Sequence, residues 1–317
     1  MGDPAGVGPE IVVKALHVPE EEKPCLAVVI GDMGVIEEAV KMLALPLKVR
    51  RISSPAESRP VAGTIEVIHV GGMRKFERCR PTAEGGRASA EYIAKAVELS
   101  SAGEAQGVVT APISKEALKM AGLKWPGHTE MIAELTKTGS YAMMLVGGPL
   151  RVILATIHVP LVKVPGLVTR ETVLDTIRLA ETACAMLGLS NPRIGVAGLN
   201  PHAGESGLFG DEEIREIIPA VDEARRQGIP VSGPFPPDTV FHKAYKGDLD
   251  IVVCMYHDQG LIPLKMIAFD KGVNVTVGLP FVRTSPDHGT AYDIAWKGVA
   301  DPSSMIEAIA LASRMKI

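Results

Sequence analysis

Strand-length apolar runs recur along this chain with segments of helical spacing between them, and that alternation constrains the fold more than any other feature. The runs are LAVVIGD (26–32), GTIEVIHVG (63–71), GVVTAPI (107–113), RVILATIHVP (151–160), RIGVAGLNP (193–201), DIVVCMYHD (250–258) and GVNVTVGLPF (272–281). Among the intervening segments, EYIAKAVELSSA (91–102), RETVLDTIRLAETACAML (170–187) and DEEIREIIPAVDEARRQG (211–228) carry apolar residues at helical spacing with polar residues between. Asp211 and Gly228 bracket the last of these as start and stop signals. Strands that are apolar along most of their length, alternating with helices, predict a largely parallel sheet covered on both faces. The expected class is α/β. No internal repeat, low-complexity tract or Pro/Ser-rich linker interrupts the pattern, so any domain boundary falls within short loops.

The chain's 317 residues, 46% of them hydrophobic, can bury the core of one large or two moderate domains. A formal net charge of −4 with nearly balanced signs offers no footprint for nucleic acid or an acidic membrane, so small ligands are expected. No run reaches the roughly 18 uninterrupted apolar residues of a membrane span, and no charged N-terminal segment leads into a long apolar stretch. Cys25, Cys79, Cys184 and Cys254 are scattered, without the spacing of a disulfide framework or zinc knuckle. Cys25 and Cys254 adjoin or lie in apolar runs, where a thiol packs as a small hydrophobe. A reducing cytoplasm is the expected location.

Three of the apolar runs end alike, in a histidine with a glycine or proline beside it: Ile157-His158-Val159-Pro160, Asn200-Pro201-His202-Ala203-Gly204 and Tyr256-His257-Asp258-Gln259-Gly260. In open parallel sheets the carboxyl ends of the strands line the ligand crevice. Neutral imidazoles suit zinc and other first-row divalent ions, and three protein ligands with open positions are the pattern of a catalytic metal. An ordinary loop histidine at each place is the bland alternative, weakened by the threefold recurrence. His17, His69 and His242 are read as ordinary, and His288 in SPDHG is compatible with either role.

Pro126-Gly127-His128-Thr129-Glu130 precedes a helical pattern, MIAELTK (131–137), with Thr129 or a neighbour as its cap. An anionic substrate could sit at that helix N-terminus, simple capping being the alternative. Lys265, Lys271 and Arg283 follow the third histidine, with Asn274 on the run GVNVTVGLPF. Cations there suit a phosphate or carboxylate, with solvated surface charge as the alternative. GDPAGVGPEIVVKAL (2–16) invites a glycine-loop reading, with Pro9 near the first turn of a helix. It lacks the third glycine and preceding strand of the dinucleotide fingerprint, and neither GxxxxGK[ST] nor G-x-S-x-G occurs.

Taken in order, GDPAGVGPE, VTAPISK, GHTE, ATIHVPL, GLNPHAGESG, MYHDQG, LK, GVNVTVGLPF and RTSPDHGTA resemble the 4-hydroxythreonine-4-phosphate dehydrogenase family across nearly the whole chain. The resemblance implies an isocitrate/isopropylmalate-dehydrogenase-like fold, two α/β/α domains with an active-site cleft between them. It places residues 1–125 with 284–317 in a first domain on the cofactor side, and 126–283 in a second domain with metal, substrate and dimer interface. It further implies a homodimer with the active site at the subunit interface, nicotinamide binding (NAD or NADP) without the Rossmann fingerprint, and one divalent ion (Zn, Mg or Co). Carried over by position, the metal ligands fall on His158, His202 and His257, and substrate contacts on His128, Thr129, Lys265, Asn274 and Arg283. Because the family shares its metal triad between dimer partners, the three imidazoles need not meet completely within one chain.

Two departures stand out. Family members carry a short apolar strand before GDPAG, whereas this sequence begins at Met1 on the motif, as a truncated start or a sheet lacking that edge would give. VTAPISKEAL also differs from the Gly-Pro-containing version of the vitamin B6 enzyme, and a sister branch oxidises D-threonate or D-erythronate 4-phosphate to dihydroxyacetone phosphate. The expected reaction is oxidation of 4-phosphohydroxy-L-threonine at the alcohol β to its carboxylate, then decarboxylation to 3-amino-2-oxopropyl phosphate, in pyridoxal 5'-phosphate biosynthesis. Asp258 is a candidate catalytic residue, either orienting an imidazole or accepting a proton. A metal-dependent phosphohydrolase and a non-catalytic phosphometabolite-binding protein are the competing classes.

Overall fold

A computed structural model describes residues 1–19, 23–73 and 77–317, and the chain divides into two compact units. The first comprises Met1–Gly139 and Leu279–Arg314, the second Ser140–Gly278 and Met315–Ile317. Residues 126–139, including His128 and Thr129, fall in the first unit, as does Arg283. The expected boundaries at 125 and 283 put all of them in the second.

The first unit contains α1 (Gly8–Leu16), β1 (Val28–Gly31), α2 (Met33–Met42), β2 (Lys48–Ile52), β3 (Thr64–His69), α3 (Ala83–Ser101), β4 (Gly107–Val109), α4 (Lys115–Met120) and α5 (His128–Leu135). The second runs through β5 (Ala142–Gly147), β6 (Leu150–Leu154), α6 (Val164–Leu167), α7 (Arg170–Met186), β7 (Ile194–Ala197), α8 (Ile218–Arg226), β8 (Val231–Phe235), α9 (Pro237–Tyr245), β9 (Ile251–Cys254), α10 (His257–Ala268) and β10 (Val273–Val277). The chain then returns to the first unit with β11 (Val282–Pro286) and α11 (Ser303–Arg314).

In the first unit β1, β3 and β2 form a parallel sheet in that order, and β4 pairs in parallel with β11. Asp32, Thr82 and Ser114 cap α2, α3 and α4 by accepting the backbone N–H three residues on, which satisfies one open donor at each helix start. The residues of GDPAGVG are buried, and its glycines face the chain's own atoms. A Cβ at Gly6 would lie 2.9 Å from the Thr290 side chain, and one at Gly8 only 2.4 Å from the Met1 carbonyl. The motif therefore works as a close-packing element against the 290 region.

In the second unit the strand order is β10-β5-β6-β9-β7-β8. β5 runs antiparallel to both neighbours, while β6, β9, β7 and β8 are mutually parallel. Every residue of β9 is buried, which fits its unbroken IVVC run. Val252 and Cys254 share a core with Val240, Ala244, Leu261 and Leu264 of α9 and α10. Side chains alternate along a strand, so Ile251 and Val253 point to the other face, where α7 packs on β7 and β9. Both faces are covered, as the apolar runs predict.

The expected helix 211–228 is interrupted. Glu213–Ile217 forms a π-turn before α8 begins, and Pro219, which has no N–H to continue the ladder, sits in the first turn of α8. All four cysteines are free; Cys184 and Cys254 are buried, but Cys25 is exposed, contrary to its expected packing. No described helix is long and apolar enough to cross a membrane.

Candidate active site

The parallel strands β6, β9 and β7 lie side by side, and each is followed at its carboxyl end by one of the three singled-out histidines. Leu154 of β6 is in register with Cys254 of β9, and the pairing continues past the strand ends. Ala155 N–H donates to the Cys254 carbonyl (2.8 Å), and the Thr156 N–H and Oγ1 donate to the Met255 carbonyl at 3.2 and 2.7 Å. Two chains held in step this far deliver His158 and His257 together, with ring centroids 5.6 Å apart and planes tilted by 42°.

His257 opens α10, a helix that the sequence pattern did not anticipate because Gly260 and Pro263 both lie within it. Gly260 packs closely: a Cβ there would approach Cys254 Sγ to 3.0 Å and Leu154 Cδ2 to 3.1 Å, so those side chains would have to give way. His257 Nδ1 lies 2.7 Å from Asp258 Oδ1. An ionised carboxylate can only accept, so the imidazole proton sits on Nδ1 and Nε2 is left as a lone-pair donor.

His202 is placed differently. The Leu199 and Asn200 N–H groups donate to Glu213 Oε1, each at 2.7 Å, and Asn200 Nδ2 donates to Glu213 Oε2 at 2.9 Å. The chain then makes a left-handed turn, with φ of 53°, 54°, 80°, 42° and 58° at His202, Ala203, Gly204, Glu205 and Ser206. Each non-glycine residue in that region costs about 1–2 kcal/mol, so surrounding bonds must impose the turn. The exposed His202 ring packs on Phe209, with centroids 6.1 Å apart. Two imidazoles, His158 and His257, are thus brought together, while the His202 ring meets Phe209. Among the described residues, no group of three His, Cys, Asp or Glu side chains is gathered to hold a metal. Two tilted imidazole rings 5.6 Å apart are the donor type that first-row divalent ions take.

The proposed substrate contacts lie in both units. Within the first, α5 begins at His128 with Gly127 at the N-cap and no side-chain cap, so Thr129 lies inside the first turn and is not the cap. Arg283 on β11 is 2% exposed and donates from Nη2 to Thr110 Oγ1 at the end of β4 (2.7 Å). Burial pushes its guanidinium down to about 10, with Glu130 opposing the shift, so it remains charged at neutral pH. His128 has its Nε2 buried without a protein hydrogen bond. Burial, and after it the neighbouring Arg283 charge, hold this imidazole well below its usual 6.5. A half-buried neutral histidine beside an arginine, with its buried Nε2 unsatisfied, is a polar surface made for an added partner.

Within the second unit, Asn274 on β10 donates from Nδ2 to Met143 Sδ at 3.1 Å, while its Oδ1 is buried without a hydrogen bond. Lys265 on α10 is half-buried, with Nζ 6.0 Å from the Phe269 ring. Among the remaining histidines, His69 Nδ1 accepts the Met33 N–H at 3.1 Å, a structural role, and His288 Nδ1 lies 3.0 Å from the Gly289 carbonyl. The buried supports Glu213 and Gln259 were missed by sequence reasoning. Their only signal was an acidic or amide residue close to a histidine motif.

The His128 shift fixes a pH dependence. Its folded pKa lies below the unfolded value, so between the two the unfolded chain binds more protons, and stability falls as pH drops through 6.5. Relative to His128→Gln, the wild type should lose up to about 2 kcal/mol between pH 7.5 and pH 5, the cost set by the unfolded imidazole alone. Urea unfolding of both proteins across that range measures it, and parallel pH profiles would contradict it.

A family model described as pyridoxal phosphate biosynthetic protein PdxA matches residues 23–312. The 4-hydroxythreonine-4-phosphate dehydrogenase of Desulforapulum autotrophicum is 50% identical over 316 residues, covering 99% of this chain and 93% of its own. The D-threonate 4-phosphate dehydrogenase of Cupriavidus necator is 47% identical over 316 residues, covering 98% of this chain and 93% of its own. The crystal structure of 4-hydroxythreonine-4-phosphate dehydrogenase from Klebsiella pneumoniae superposes with a TM-score of 0.93 at 44% identity, covering 99% of this chain and 96% of that one.

Proposed function

This chain belongs to the PdxA family of pyridoxal phosphate biosynthetic proteins, and from that premise we propose that it oxidises 4-phosphohydroxy-L-threonine with NAD and decarboxylates the product. It is a dehydrogenase of that family, and the family implies a nicotinamide cofactor. The observation that carries the reading to particular residues is the His158–His257 pair at the ends of adjacent parallel strands, with Asp258 fixing one tautomer.

In this reading His158, His202 and His257 hold one divalent ion, and imidazole donors favour zinc or cobalt over magnesium. Such an ion supplies Lewis-acid polarisation of the substrate's alcohol oxygen and then of the ketone. A bound nicotinamide would supply the hydride acceptor for the carbinol carbon; the C–C bond to the carboxylate would then break with its electron pair held as the enolate of the ketone, which takes up a proton. Arg283 and Lys265 neutralise the phosphate and carboxylate, while the open His128 Nε2 and Asn274 Oδ1 bond the substrate's polar substituents. Thr129 adds a hydroxyl from the first turn of α5. Contacts of this kind remove translational freedom before chemistry. Asp258 orients His257.

We assign the assembly as a homodimer. The segments carrying the histidines also expose Val162, Leu208, Met266 and Phe269, each more than 70% accessible, and a second copy is the partner that would cover them and bring a third imidazole to the pair. Four free cysteines suit the reducing cytoplasm.

A second reading replaces the substrate with D-threonate or D-erythronate 4-phosphate, favoured by the VTAPISK segment and by a relative of that specificity at 47% identity. Side-by-side assay of NAD reduction on the three phosphorylated acids decides between them. The first reading expects preference for 4-phosphohydroxy-L-threonine; preference for either sugar acid would overturn it and leave the chemistry in place.

A further inference from the structure

The three strand exits are joined by one buried chain of hydrogen bonds, and Gln259 is at its centre. This side chain is 7% exposed in the first turn of α10, two residues beyond His257. Its Oε1 accepts the Met255 N–H at 2.7 Å, at the exit of β9, and its Nε2 donates to the Gly198 carbonyl at 2.7 Å, at the exit of β7. The Met255 carbonyl, on the far side of the same residue, accepts both the N–H and the Oγ1 of Thr156, at the exit of β6. One amide thus ties the approach to His257 directly to the approach to His202, and through Met255 to the approach to His158.

The chemistry of the position requires an amide. A buried side chain that must accept from one peptide and donate to another can be Gln, whereas Glu can only accept when ionised and Leu can do neither. Both bonds are short, and each end of the amide is engaged by a peptide group in a side chain that is 7% exposed. We propose that Gln259 is a positioning residue that sets the spacing of the three histidine loops, so that the site is organised before the ion arrives. This rests on the reading of His158, His202 and His257 as metal ligands.

Gln259→Glu tests the brace, because it keeps the bond to Met255 and replaces the donor facing the Gly198 carbonyl with an acceptor. Cobalt(II) affinity is measured by calorimetry on the full-length apoprotein, together with the visible ligand-field spectrum and thermal unfolding without metal. The variant is expected to bind cobalt 10–100-fold more weakly, the range for groups that orient ligands, with an altered spectrum and with activity rising at excess metal. Thr156→Val, which removes one bond at the other end of the chain, should weaken binding in the same direction by a smaller factor, and it serves if Gln259→Glu does not fold. Wild-type affinity and spectrum in a folded variant, with or without a lowered melting temperature, overturn the brace and leave the metal site standing. A wild-type protein that binds no cobalt overturns both.

Discussion

Replacing His257 by alanine is expected to lower kcat/KM for substrate-dependent NADH formation by about 1,000-fold. The figure is the loss of roughly 4 kcal/mol, within the several kcal/mol that a Lewis acid contributes to stabilising developing charge on oxygen. The fold should survive, because the side chain is one-third exposed and its partner Asp258 is 71% exposed. A surface truncation of that kind costs about 0.5 kcal/mol or less. Divalent-metal binding should fall with activity, since His257 offers the nitrogen whose tautomer Asp258 fixes. Near-normal turnover in a folded His257→Ala protein would remove the residue from the chemistry.

Arg283→Met should act on the other half of the reaction, raising KM for the phosphorylated acid by about 100-fold. Truncating one partner of a buried, hydrogen-bonded charge contact costs about 2–5 kcal/mol, which spans that factor. Arg283 suits the role because it is buried yet charged, held by Thr110 and with its charge favoured by Glu130. Arg283→Lys should recover only part of the loss, because an ammonium lacks the planar fork. Steady-state kinetics with circular dichroism on each variant separates binding from folding. An unchanged KM would place the anion elsewhere.

The two predictions fall on residues of different legibility. His257 was visible because an apolar run, IVVC, stops at three polar residues, and a strand buried on both faces must surface where its run ends. Arg283 was visible only as one of three cations after the third histidine, and the resemblance singled it out from Lys271; its burial depends on β11 pairing with β4, which a five-residue strand of Val-Arg-Thr-Ser-Pro does not advertise. The α10 helix was hidden by Gly260 and Pro263, residues that local propensity reads as breakers and tertiary packing admits. The left-handed turn at 202–206 was equally hidden, since Ala203, Glu205 and Ser206 do not favour that backbone region. Glu213, which a spacing rule does not connect to His202, accepts the backbone N–H groups of Leu199 and Asn200 just before that turn.

The sheet had a similar outcome. Continuous apolar runs predicted the parallel strands β6, β7 and β9, and these are the strands that deliver the histidines. The antiparallel β5 was not anticipated; its AMMLVG run joins β6 through a tight turn at Gly148. That reversal sets β10, with Asn274, on the far side of β5 from the histidine-bearing strands.

Product stoichiometry on metal-stripped protein tests the central claim most directly. With 4-phosphohydroxy-L-threonine and NAD, the stripped enzyme should yield neither NADH nor carbon dioxide, and adding zinc or cobalt should restore both in equal amounts. Full NADH formation while the chelator is present would contradict the account.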